Sequence, residues 1–379
     1  MKGLFIYVTA GKGHQVPAEA LRDAMIRLGH EAVSIDLFDM LHDRVAKRYI
    51  QNAWRNELRH PPVERVSNRL LDRKISGTLM KLYAMCQLHM QHYFKKYIEE
   101  VKPDFIFGTH YFVNQIIEPY VRAYGFHIPV YGYAPDIFFY PNIGASKHMD
   151  QLYVCSSIGR DWMLKQGFRP DQISLCSFPL KQSIEAYAVP TQQEARDALG
   201  LKQGVFTILM NLGGEGIGNT RLVRRIAKDG LRPQFIVVGR MSRGTARLYR
   251  NFEETHPDFP IIAPGFTDKM LDYIVASDIV VGKAGANSMM ESIYLKRPFL
   301  ITEQLYAGFR TSMFLDQYKV GWVENNVTRQ AEILERYAND PKLRAEIAHQ
   351  LDIQPLTFGS EKLVRQVMDD TLQWYRTHR

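Results

Sequence analysis

Cysteine is scarce in this chain. Cys86, Cys155 and Cys176 are the only three in 379 residues, with no CxxC and no His/Cys spacing of the metal-binding kind. A disulfide framework and a metal site therefore lack support, and the thiols read as reduced core groups of a cytoplasmic protein. Long hydrophobic runs are missing too. No stretch of about 20 apolar residues occurs, and Met1 to Leu4 shows no basic segment leading into an apolar one, so the expectation is a chain that neither spans a membrane nor is exported. The pattern GxxxxGK[ST] is absent, which removes support for ATP hydrolysis. Internal repeats and low-complexity segments are absent as well.

What is present is an excess of one charge and a regular alternation. Lysine and arginine outnumber aspartate and glutamate 48 to 40, a net charge of +8 that favours an anionic partner: nucleic acid, a nucleotide or an anionic membrane. At 46% apolar, the chain is too long for one ordinary core and points to two domains. In the first half, strands are expected at Leu4 to Val8, Glu31 to Ile35, Phe105 to Gly108, Val130 to Tyr133, Gln151 to Val154 and Ile173 to Cys176. Pro179 to Val189 looks like a crossing, and Gln192 to Leu199 like the first helix of a second unit. That unit carries strands at Phe206 to Asn211, Phe235 to Val238, Ile261 to Ala263, Ile279 to Val281 and Phe299 to Ile301. The fold class is α/β, with two doubly wound Rossmann-like domains facing a cleft, over residues 1–183 and from 184 onward.

A long insertion, about 43–101, interrupts the first domain. Its ten basic residues from Arg44 to Lys81 are interleaved with Trp54, Leu58, Leu70, Leu71, Ile75, Leu79, Met80, Leu82 and Tyr83. Basic residues alternating with bulky apolar ones suit a helix lying in an anionic membrane interface. The competing view is a packed helical insertion with a solvated basic face. No recognisable DNA or RNA module accompanies the charge, so no nucleic acid is expected as a partner.

Three turns carry the chemistry. The first, TAGKGH, joins the opening strand to a helix with Ala18, Leu21, Met25 and Leu28 on one face, and so places Gly11 to His14 where open α/β sheets bind ligands. Asp36 ends the second strand at the distance of a ribose-binding acid, but Gly11 to Val16 lacks the third glycine of GxGxxG, so a dinucleotide fingerprint is incomplete. The second turn, GGEGIGN, follows FTILMNL and precedes a helix with a basic flank of Arg221, Arg224 and Arg225. The third, GKAGANSMMES, sets glycines, Lys283 and small polar side chains at another helix start. Glycines let a backbone approach phosphate closely, and helix starts supply N–H donors. Glu291, eight residues beyond Lys283, stands where it can accept hydrogen bonds from a ribose diol, and the set suggests a nucleotide diphosphate.

Taken together, TAGKGH, PDFIFGTHYF, APDIFFYP, SSIGRDWMLKQGF with FPL, LMNLGGEGIG, VVGR, PGFTDKM and GKAGANSMMESIYLKRPFLI resemble glycosyltransferase family 28. The nearest branch is that of monogalactosyldiacylglycerol synthases and processive diacylglycerol glucosyltransferases. The resemblance implies a GT-B fold, with a lipid acceptor on the N-terminal domain and a UDP-sugar on the C-terminal domain, 184–360. A C-terminal helix, 361–379, would cross back to the first domain. It implies that Gly213, Gly214, Glu215 and Gly216 lie beside the sugar diphosphate, that Lys283, Ala284 and Gly285 form a KAG turn at the phosphates, and that Glu291 holds the ribose. Arg240 and Phe266 match positions near the uracil.

His14 matches the histidine of the family's acceptor-side turn. An acceptor hydroxyl is a poor nucleophile, and an inverting transfer needs a base in line with the anomeric carbon, work that suits a histidine. Asp136 or His110 would orient His14 or serve as the base instead. No DxD triplet is present, so neither a bridging metal nor any other cofactor is expected beyond the UDP-sugar as donor substrate. The implied protein is a hexosyltransferase of glycolipid synthesis, cytoplasmic and peripherally bound to the inner face of the cell membrane. Two departures leave specificity open. Asp136 to Asn142 has Tyr140 where the family has the histidine of His-Pro and lacks its tryptophan, so polyprenyl-linked and soluble acceptors stay in view beside diacylglycerol. The family's PGQE-type turn reads Tyr306 to Arg310 here, which leaves glucose, galactose, N-acetylglucosamine and glucuronic acid as donor sugars. A UDP-sugar epimerase and a catalytically silent nucleotide-binding protein are the remaining classes.

Overall fold

The structure, a computed structural model, describes residues 1–134, 148–213, 220–283, 285–304 and 309–378. The chain divides into two compact units, Met1–Ala186 with Pro355–Arg379, and Tyr187–Gln354.

Unit 1 holds a six-stranded parallel sheet of β1 (Lys2–Tyr7), β2 (Glu31–Asp36), β3 (Phe105–Gly108), β4 (Val130–Tyr133), β5 (Gln151–Val154) and β6 (Ile173–Leu175), in the order β2-β1-β3-β4-β5-β6. Both faces are covered, which is why the central strands are apolar from end to end. Leu4, Ile6 and Ile106 face a core that includes Met90, Phe94 and Ile98 of the inserted helix Leu88–Val101. An aromatic layer is built from Phe5, Phe105, Phe107, Tyr131, Tyr133 and Tyr153, with ring centroids 5.6–6.2 Å apart. The last helix, Ser360–Thr377, is tied to this sheet by polar contacts from its inward face. Tyr153 donates to Asp370 at 2.6 Å, Trp374 Nε1 donates to Asp150 at 2.7 Å, and Tyr375 donates to the Asp104 carbonyl at 3.0 Å.

The insertion folds as four helices, Arg44–Arg59, Pro61–Leu71, Lys74–Cys86 and Leu88–Val101. Its third helix is pinned to the helix Tyr111–Ala123 through Glu118, a buried carboxylate with Lys81 at 3.3 Å and Arg122 on its other oxygen. Such a carboxylate is retained only because it is paired.

Unit 2 repeats the plan with β7 (Thr207–Asn211), β8 (Gln234–Val238), β9 (Ile261–Gly265), β10 (Ile279–Lys283), β11 (Phe299–Glu303) and β12 (Gly321–Val323), all parallel, in the order β12-β11-β10-β7-β8-β9. β12 is the strand that the apolar pattern does not announce. It is three residues long and lies on the sheet edge. Asp278, at the start of β10, accepts from Arg196 Nη2 at 2.8 Å and from the Thr207 N–H at 2.7 Å, which fastens the helix Gln192–Ala198 to two strands.

In each sheet the strand order reverses once, between β1 and β3 in unit 1 and between β7 and β10 in unit 2. Crevices outside the carboxyl ends of strands at such reversals are where open α/β sheets bind ligands.

Candidate active site

In unit 1 the reversal is occupied by two histidines. His14 ends the β1 turn immediately before the helix Gln15–Arg27, and His110 follows β3 and caps the helix Tyr111–Ala123. Their rings meet edge to face with centroids 4.3 Å apart. Thr109 clasps the two turns together: its hydroxyl donates to the His14 carbonyl at 2.7 Å, and its own carbonyl lies 2.8 Å from His14 Nδ1. A carbonyl only accepts, so Nδ1 carries the hydrogen and Nε2 the lone pair of the neutral ring. His110 is arranged the opposite way. Its Nδ1 accepts the Phe112 N–H at 3.1 Å, so its lone pair is spent on the helix cap, and the residue is 2% exposed.

Burial disfavours the charged form of both rings. It lowers the His14 pKa to about 4, opposed by the Thr109 carbonyl. His110 is pushed well below its ordinary value, first by burial and then by His14. Both rings are therefore neutral at pH 7. His14 retains part of its surface and an unprotonated Nε2. Of the pair, it is the one equipped to accept a proton.

The glycine turn leading to His14 is shaped by its neighbours. Gly11 has φ +79°, and a Cβ there would stand 3.1 Å from the Trp54 indole nitrogen of the first inserted helix. Asp36, which the sequence left open as a ribose acid, is 1% exposed and engaged locally. It accepts from the Thr9 N–H and hydroxyl at 2.8 and 2.6 Å and from the Phe38 N–H at 2.9 Å. This carboxylate shapes the β1 turn and caps the short helix Leu37–Met40. Asp136 lies outside the described residues.

In unit 2 the reversal opens into a cavity of about 300 Å³, lined by Asn211, Thr220, Arg221, Lys283, Thr302 and Glu303 among others. Lys283 ends β10 with its Nζ 3.1 Å from the Glu303 carboxylate at the end of β11. Gly285 follows, its N–H donating to the Lys283 carbonyl at 2.7 Å, and opens the helix Ala286–Tyr294, which carries Glu291 half-buried. At the other side of the reversal, Asn211 Oδ1 accepts the Gly213 N–H at 2.9 Å. The Gly213 carbonyl in turn accepts the Arg240 N–H at 3.0 Å, and the Gly239 N–H donates to Gly265 at 2.8 Å. Gly239 has φ +113°, and a Cβ on it would lie 2.8 Å from the Gly213 carbonyl oxygen, so only glycine allows these turns to stack.

Of the residues singled out from sequence, the structure places Lys283 in the cavity wall, Gly213 and Arg240 in the stacked turns beside it, and Gly285 at the adjoining helix start. Arg240 is exposed, and so is Phe266, at 78%. Gly214, Glu215, Gly216, Ala284 and the turn Tyr306 to Gly308 lie outside the described residues. Sequence reasoning passed over Thr109 and Glu303. Each carried a signal, a polar residue closing an apolar strand on the ligand-binding side of its sheet.

Residues 14–180 match the family model for monogalactosyldiacylglycerol (MGDG) synthase, and residues 235–304 match that for the glycosyltransferase family 28 C-terminal domain. A probable monogalactosyldiacylglycerol synthase 2, chloroplastic, of Oryza sativa subsp. japonica is 22% identical over 316 residues, 79% of this chain and 65% of that protein. A probable monogalactosyldiacylglycerol synthase, chloroplastic, of Nicotiana tabacum is 24% identical over 151 residues, 38% of this chain and 27% of that protein. The chain thus spans less than two thirds of the length of these relatives. Among solved structures, MurG of Acinetobacter baumannii aligns with a TM-score of 0.65 at 11% identity, over 98% of this chain and 99% of that one. UDP-GlcNAc 2-epimerase of Neisseria meningitidis, bound to UDP-GlcNAc, aligns with a TM-score of 0.58 at 12% identity, over 98% and 100%. At such identities the likeness speaks for the fold, which is GT-B.

Proposed function

Since the chain belongs to glycosyltransferase family 28, as a member of the MGDG synthase type, we propose that it is a hexosyltransferase that moves a sugar from a UDP-sugar to a lipid hydroxyl, most simply that of diacylglycerol. The oxygen of the acceptor attacks the anomeric carbon, the bond from that carbon to the diphosphate breaks, and UDP departs with inversion. Unit 1 activates the acceptor and unit 2 holds the donor. The observation that carries this reading is the His14–Thr109 clasp, which holds a neutral imidazole with Nδ1–H tied down and Nε2 left to take the hydroxyl proton. The Thr109 carbonyl then steadies the imidazolium that forms.

On the donor side, Lys283, Arg221 and the start of the helix at Ala286 supply positive charge and N–H groups for the departing diphosphate, and Glu291 is assigned to the ribose. Their arrangement supports a transfer that needs no bridging metal ion.

The lipid is met by the insertion. Val63, Val66 and Leu70 recur at helical spacing on Pro61–Leu71, and Ile75, Leu79 and Leu82 on Lys74–Cys86, every one between 48% and 63% exposed. Arg65, Arg69 and Arg73 are exposed among them. Apolar residues of this number in water, set among cations, support peripheral docking on an anionic bilayer, at the inner face of the cell membrane in our reading. Among the described residues no helix is long and apolar enough to cross a membrane.

The test is a product assay with purified protein, a panel of UDP-hexoses, and diacylglycerol in anionic vesicles. A sugar-bearing lipid on chromatography supports the reading. Epimerised sugar released without any acceptor would replace it with an epimerase, and UDP binding without lipid product would remove diacylglycerol as the acceptor.

A further inference from the structure

Lys283 and Glu303 are neighbours because of one irregularity. β10 and β11 pair in register from Val280↔Phe299 to Gly282↔Ile301, and the pairing then slips, so that Lys283 stands opposite Glu303 and Thr302 is passed over. A bulge of this kind re-aims a side chain at a strand end. Here it sets ammonium and carboxylate 3.1 Å apart in the wall of the cavity that Arg221 also lines. The Lys283 Nζ is closed to solvent and makes no hydrogen bond among the described residues, so Glu303 acts on it as a charge partner and leaves its N–H donors for another acceptor.

Without that carboxylate, the described lining of the cavity would carry two cations, Arg221 and Lys283, and no anion. Glu303 offsets their repulsion. A diphosphate entering the same cavity is a second suitor for the same ammonium. Resting on the donor reading above, we propose that Glu303 is a positioning residue. It is the resident counter-ion that holds the Lys283 ammonium in place, yields it to the diphosphate when the donor enters, and reclaims it as UDP leaves.

Because carboxylate and diphosphate compete, neutralising the carboxylate without changing its shape tightens UDP. Glu303→Gln is expected to bind UDP about tenfold more strongly, mainly through slower dissociation, and to show correspondingly stronger product inhibition. Glu303→Asp, which draws the charge back by one methylene, falls between the two. Lys283→Met binds UDP weakly, and adding Glu303→Gln to it changes nothing further. Calorimetric titration of UDP onto the full chain measures all four variants beside the wild type, with circular dichroism and thermal midpoints reporting the fold. Unchanged or weaker UDP binding in Glu303→Gln, or a tightening that survives the loss of Lys283, overturns the proposal. A purely structural Glu303 would lower the thermal midpoint and leave UDP affinity unmoved. If the wild-type protein binds neither UDP nor any UDP-sugar, the donor reading itself fails and this role falls with it.

Discussion

Replacing His14 with alanine separates stability from catalysis in one residue. The variant loses the hydrogen bond from Nδ1 to the Thr109 carbonyl at 2.8 Å, worth about 1 kcal/mol at neutral pH. Proton linkage works in the other direction. Burial lowers the ring's pKa from 6.5 to about 4 in the folded protein. A histidine depressed in this way contributes stability that is present above 6.5 and lost as the pH falls towards 4, because the unfolded chain takes up the proton in that window and the folded one does not. At pH 5 the loss from this ring amounts to roughly 2 kcal/mol. Wild type should therefore lose roughly 2 kcal/mol more than His14→Ala between pH 7.5 and pH 5, and the urea-unfolding stabilities of the two should cross in mild acid. Transfer in the variant should fall by about 10² to 10⁴, the usual contribution of a positioned base, with UDP affinity held within about twofold. In the wild type the acid limb of kcat/KM should have its midpoint near 4, since only the neutral ring accepts a proton. A limb near 6.5, or stabilities that stay parallel from neutral to acid pH, would refute the neutral buried ring. Transfer by the variant within about tenfold of wild type would remove His14 as the base.

Asp278→Ala strips a buried guanidinium of its carboxylate and the Thr207 N–H of its acceptor. It should destabilise unit 2 by about 3–5 kcal/mol, visible as a large fall in its thermal midpoint, with Asp278→Asn milder. Leu79→Glu puts a charge of the wrong sign at a position that is 57% exposed. Its thermal midpoint should stay near wild type while co-sedimentation with anionic vesicles drops; undiminished sedimentation would move the membrane contact elsewhere. Excess EDTA should leave the transfer rate unchanged, and a loss restored by a divalent cation would show that Lys283 and Arg221 do not carry the diphosphate charge alone.

How much was legible from sequence follows from which interactions are local. The parallel strands could be read because a strand covered on both faces must be apolar throughout, and Leu4–Val8, Phe105–Gly108 and Ile279–Val281 are. The glycine turns were legible for a similar reason: a strand, a glycine and a helix start are consecutive in the chain. β12 was not, since Gly321–Val323 is too short and too half-covered to show a pattern. Asp36 illustrates the opposite failure. Its spacing from the first turn suits a ribose acid, but its oxygens are taken by Thr9 and by a helix cap that no spacing reveals.

By itself, then, the amino-acid sequence determined two α/β sheets, the glycine turns that follow their strands, a basic insertion set among apolar residues, and the lack of a GxxxxGK[ST] or CxxC pattern. Those properties depend on residues within a few positions of one another. Only the tertiary structure decided that Thr109 fixes the tautomer of His14, that His110 spends its lone pair on a helix, and that a slipped pairing gives Lys283 a carboxylate partner. The first and the last join residues 95 and 20 positions apart, brought together by strand order and register, which a sequence does not record; the His110 cap is local, but which ring nitrogen it occupies is set by the fold around it.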